Sequence, residues 1–162
     1  MKNFQNKAKI IQVSKILRAV LFGGLVLWIV AILTFLFDLI FPMFFVPKDK
    51  LYASTIFIPG SMALLAALGL VVNLRLFGFF DRLKNGHLFD AQTVGYLDAA
   101  GKWWIVFWLF EGLIFEIGDH FFQSRMTASW GFGGLFAGLA LLFVAWLLKE
   151  AQELQEEQEL TV

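Results

Sequence analysis

KWWIVFWLFEGLIFEIGDHFF, residues 102–122, decides how many times this chain crosses a membrane. A spanning helix needs about 20 apolar residues to cover about 30 Å of hydrocarbon. The stretch from 102 to 118 has nearly that length but carries Glu111 and Glu116. Each acid at the membrane centre costs about 2.5–3.5 kcal/mol. Trp103, Trp104, Phe107, Trp108 and Phe110, with five aliphatic residues between Ile105 and Ile114, offset that cost. Glu116 falls near the far interface, which leaves Glu111 to bear the full cost. We read 102–118 as a span; a re-entrant or interfacial helix is the alternative.

The flanking sequence is simpler. Residues 20–41 form a first apolar span, expected to end at Pro42, and 55–75 a second, drawn from the charge-free run Leu51–Leu74 and ending on Arg75. Residues 128–148 form the last, inside a charge-free run from Met126. The composition agrees: 59% of the 162 residues are hydrophobic and 16% charged, with 20 Phe, 6 Trp and a mean hydropathy of +0.74. A soluble domain has about 45–50% apolar and about 25% charged residues, because it must cover itself with polar surface. The run Ala19–Phe37 holds 19 uncharged residues, longer than the core of a signal peptide, and reads as a retained helix. The expected fold is therefore all-α: one domain, residues 1–162, forming an integral membrane bundle of four transmembrane helices.

Basic residues orient it. Lys2, Lys7, Lys9, Lys15 and Arg18 precede the first span; Arg75, Arg82, Lys84 and Lys102 lie between the second and third; Lys149 follows the fourth. Only Lys48, Lys50 and Arg125 fall on the other side. Positive charge stays inside, so both termini are expected in the cytoplasm of a bacterial cell, with the protein in the cytoplasmic membrane. The tally does not test the third span, because Arg125 and Lys149 would merely exchange sides if it failed. Trp103, Trp104 and Trp146 at inner ends, and Tyr52 and Trp130 at outer ends, fit interfacial belts.

Residues 76–101 mix apolar and charged positions at helical spacing, with a stop at Lys84-Asn85-Gly86 and an N-cap at Asp90. They predict a cytoplasmic interfacial hairpin. Residues 149–162, KEAQELQEEQELTV, predict a helical acidic tail. It is either a solvated face or a partner for the basic regions.

Few residues suggest chemistry. Glu111 is a candidate for proton-linked or ligand-binding work, against a neutral acid bonded to a neighbouring helix. Glu116, Asp119 and His120, at i, i+3 and i+4, have spacing suited to a divalent metal, against a polar helix end among headgroups. Asn73 and Arg75 end the second span. Arg75 either snorkels to phosphate or bridges to Asp81 or Asp98. Gly134 and Gly138 let helices approach closely, inside the bundle or in a homo-oligomer. With no Cys, thiolate sites and disulfides are excluded. The formal net charge of +0 gives no sign of direct nucleic-acid binding. No P-loop, G-x-S-x-G or H-E-x-x-H occurs. We expect no enzyme and no cofactor.

The ending A-Q-E-L-Q-E-E-Q-E-L-T-V, directly after an apolar helix, resembles a bacterial family named as domain of unknown function 2975 (DUF2975). Asn73, Leu76 and Phe77, then Gly86 and Phe89, then Leu97 and Gly101 match its looser middle pattern. Thr93-Val94 stands where the family often has Asn-Val. The resemblance implies four membrane helices and no assigned activity. Family members are often encoded beside small helix-turn-helix regulators, which implies a regulatory partnership. The leading expectation is a regulatory or accessory protein whose hairpin and tail contact a cytoplasmic partner such as a transcription regulator. The alternative is a small transport or ligand-binding bundle centred on Glu111.

Overall fold

The computed structural model describes residues 2–46, 53–87, 90–122 and 132–160. All regular structure in them is helical, in four elements: α1 (Lys2–Phe45), α2 (Ala53–Lys84), α3 (Ala91–Phe122) and α4 (Gly133–Leu160). Lys48, Lys50, Tyr52, Leu88, Phe89, Arg125, Ala128 and Trp130 lie outside the described residues. Three helical stretches are long and apolar enough to cross a membrane: Lys9–Phe45, Thr55–Lys84 and Gly133–Gln158. At 32 residues α3 matches α2 in length. Lys102, Glu111, Glu116 and Asp119 interrupt its apolar sequence, and it is not among the three.

The helices overrun the expected spans. α1 continues through Pro42, where the sequence predicts a stop. Proline removes one N–H and crowds the preceding turn. So near a helix end the loss is a single bond, and Val46 N–H still closes the last turn on the Pro42 carbonyl at 3.0 Å. Residues 76–101 take in the facing ends of α2 and α3. α4 runs unbroken from its apolar half into the acidic tail.

Close packing follows chain order, α1 on α2, α2 on α3 and α3 on α4, and no comparable α1–α4 contact closes the ring among the described residues. Each contact seats a large side chain on a small one. Trp28 of α1 covers Gly69, Tyr96 of α3 covers Gly78, and Leu142 of α4 covers Gly101. Phe79, Leu97 and Ala145 form a buried cluster from α2, α3 and α4, edged by Leu76, Phe80, Leu83, Tyr96, Leu141 and Leu148. α1 touches the rest along one stripe only. Leu27 is 71% exposed, Phe37 63% and Phe44 78%. An apolar surface of this extent marks contact with lipid or another apolar surface rather than water.

Candidate functional site

The polar chemistry concentrates where α2 meets α3. α2 ends at Lys84 because Gly86 takes a left-handed φ of 87°, open to residues without a Cβ. The last turn is closed by Asn85 N–H on the Arg82 carbonyl (3.0 Å), Gly86 N–H on Leu83 (3.0 Å) and His87 N–H on Arg82 (3.1 Å). Asp90 then starts α3. Its Oδ1 accepts the Gln92 N–H at 3.1 Å, and its carbonyl accepts the Val94 N–H at 3.1 Å. Capping oxygens of this kind satisfy donors that have no partner inside the helix.

Arg82 fastens the two ends. Its Nε donates to Thr93 Oγ1 (3.2 Å) and its Nη1 to Gln92 Oε1 (2.5 Å), while Nη2 pairs with the Asp90 carboxylate. Thr93 is fully buried, and its hydroxyl also donates to the His87 carbonyl at 3.0 Å. The Asp90 carboxyl is held below the usual carboxylate range, first by the Gln92 N–H and then by the Arg82 hydrogen bond, against a smaller opposing effect of burial. One guanidinium thus grips three side chains at the start of α3, one of them through a buried hydroxyl.

Of the two readings of Arg75, the bridge to Asp81 or Asp98 does not form. Arg75 is exposed. Asp81 pairs instead with Arg18 Nε of α1 at 2.9 Å, and Asp98 pairs with Lys102 at 2.7 Å. The reason is helical phase: six residues separate Arg75 from Asp81, which sets them about 240° apart at about 100° per residue. Arg82 holds the turn that the sequence suggested for Arg75. Thr93 was also missed. Its signal was a polar residue on an apolar stripe, since Thr93, Leu97 and Ala100 are buried at i, i+4 and i+7.

Other candidates are dispersed. Asn73 lies against Gly24, where an added Cβ would sit 2.6 Å from Nδ2, and its Oδ1 is buried without a hydrogen-bond partner. The antiparallel contacts Gly24–Asn73, Trp28–Gly69 and Gly78–Tyr96 set the levels of the helices. Followed along the helices at about 1.5 Å per residue, they place Glu111 level with Leu33–Thr34, inside the charge-free run of α1. Glu116 comes level with Asp38, at the end of that run away from the α2–α3 turn. Glu111 is half-buried; Glu116, Asp119 and His120 are exposed. No group of three metal-ligating side chains gathers among the described residues. Gly134 and Gly138 face α3. Trp108 lies against the first, Ile105 lies 2.6 Å from where a Cβ would sit on the second, and Trp104 Nε1 donates to the Gly134 carbonyl at 2.9 Å.

A groove of about 430 Å³ runs between the start of α3 and the extension of α4. Asp98, Glu153 and Glu156 line it beside Gln152, Lys149 and the bare backbone of Gly95. Lys149 pairs with Glu153 at 3.6 Å, and Gln152 donates to Glu156 at 2.9 Å.

Fold and site define an all-helical protein with membrane-length apolar helices and a polar cluster at the α2–α3 turn. Residues 47–162, well over half of the chain, match the family described as "Protein of unknown function (DUF2975)", and the chain belongs to that family. No curated protein and no solved structure matches it.

Proposed function

We propose that this is a four-span protein of the bacterial cytoplasmic membrane with both termini in the cytoplasm. Its α2–α3 turn and α4 extension form a platform for a soluble partner protein such as a transcription regulator, and the role is non-enzymatic. The carrying observation is the acidic groove, in which Asp98, Glu153 and Glu156 stand around a single lysine. Its shape and charge suit a basic segment of a partner. The pairs that now occupy the carboxylates are exposed i, i+4 pairs, worth about 0.3–0.5 kcal/mol each, and an incoming arginine displaces them at small cost. The Arg82 clasp holds one wall of the groove at the start of α3. The fourth span is supported by the level of Glu116 at the outer end of the apolar run, which leaves one acid, Glu111, within it.

Affinity purification in mild detergent of the wild-type chain and a Glu153→Lys/Glu156→Lys variant tests this reading. A protein retained by the wild type, released as salt rises from 0.15 to 0.5 M on screening grounds, and absent with the variant is expected. Retention of the same proteins by both chains would rule the platform out, as would no retention by either.

A further inference from the structure

A second cavity, also of about 430 Å³, lies between α1 and α2 at the end of the molecule that carries the α2–α3 turn. Its lining among the described residues holds three cations, Lys15, Arg18 and Lys84, and no anion; the rest is Ala19, Phe22 and Phe77. These residues are ordered along the helix axes. Lys15 and Lys84 lie outermost. Phe22 and Phe77 lie seven residues further in on their helices, about 10 Å at helical rise. Arg18 sits between, with its guanidinium carbon 5.0 Å from the centre of the Phe77 ring. The wall is therefore cationic at the mouth and aromatic toward the charge-free run that begins at Ala19.

The two lysines are available. Neither Lys15 nor Lys84 has an ion-pair partner among the described residues. Arg18 is paired with Asp81, Nε to Oδ1 at 2.9 Å, and its side chain stays partly exposed.

We infer that this cavity binds one anionic phospholipid, with its phosphate among Lys15, Arg18 and Lys84 and the start of an acyl chain along Phe22 and Phe77. A polar mouth of three positive groups complements an anionic headgroup, and the aromatic interior complements the hydrocarbon that follows it. A soluble phosphate would use the mouth and leave the aromatic wall empty. The inference rests on the membrane and orientation part of the proposed function and is independent of the partner platform.

Lipid retention by the full chain, purified in neutral detergent and measured by native mass spectrometry, tests it. Phosphatidylglycerol is expected to bind one to one and phosphatidylcholine far less. Each basic residue near an anionic headgroup contributes about fivefold in affinity, so Lys15→Gln/Lys84→Gln should weaken phosphatidylglycerol about thirtyfold. Lys102→Gln, which removes an exposed cation outside the cavity, should change nothing. Equal loss with Lys102→Gln would reduce the effect to general surface charge and overturn the site. Equal binding of phosphatidylcholine, or displacement of the lipid by millimolar glycerol phosphate, would overturn the assignment to an anionic phospholipid. Should the double variant misfold, a photoactivatable phosphatidylglycerol on the wild type decides. Labels within 15–22 and 77–84 support the site, and labels elsewhere refute it.

Discussion

Thr93→Val is the sharpest probe of the turn that joins α2 to α3. The replacement keeps the shape of a side chain with no exposed surface and deletes its hydroxyl. Two hydrogen bonds go with it, the donation to the His87 carbonyl and the acceptance from Arg82 Nε. A typical bond contributes about 0.5–1.5 kcal/mol net, and an orphaned group costs more. Both orphans here have relief. His87 is exposed, so its carbonyl can turn to water, and Arg82 keeps Gln92 and Asp90. The expected loss is therefore about 1–2 kcal/mol, felt locally. That predicts about five- to thirtyfold faster hydrogen exchange at the amides the clasp protects: His87, Gln92 and Val94. Thr93→Ser retains the hydroxyl and should stay near the wild type. Amides in the middle of α2 should not change in either variant. Wild-type exchange in Thr93→Val, or equal acceleration in Thr93→Ser, would refute the role assigned to the hydroxyl.

Acid should loosen the same turn. The folded state holds the Asp90 carboxyl below its unfolded value. Its contribution is complete above the ordinary carboxylate range and disappears as pH falls through the lowered folded value. Melting temperature measured from pH 7 to pH 3 should decline at the acid end, and Asp90→Asn should flatten that decline. Glycine replacements should divide by neighbour. Gly69→Ala meets the Trp28 ring at 2.5 Å and Gly134→Ala meets Trp108, while Gly23 and Gly133 have nothing within 4 Å. Overpacking of about 1–3 kcal/mol against a helix-propensity gain of up to about 1 kcal/mol predicts lower melting temperatures for the first two. Gly23→Ala and Gly133→Ala should match or exceed the wild type.

Much of the α2–α3 turn was legible in the sequence. Lys84-Asn85-Gly86 marked the end of α2, and Asp90 marked the start of α3, because stop and cap signals act over three or four residues. The acidic tail read as helix and is helix to Leu160. Pro42 misled, because a proline in a final helical turn sacrifices one bond rather than the helix. Arg82 and Thr93 were hidden for another reason. Arg82 counted as one more inside charge, and Thr93 stood where the family pattern has Asn. Their meeting requires α2 and α3 to fold back on each other with Gly78 against Tyr96.

Composition and run length, by themselves, determined that this chain is helical and rich in membrane-length apolar segments. Those properties depend on residue content and on rise per residue, both of which are one-dimensional. Partners, depth and facing direction depended on tertiary structure. Asp81 serves Arg18 rather than Arg75, and Glu116 comes level with Asp38. Gly134 and Gly138 receive Trp108 and Ile105 from the same chain. Each of these follows from the rotation and axial register of one helix against another. Interlocking side chains set both, and they leave hydropathy and spacing along the sequence unchanged.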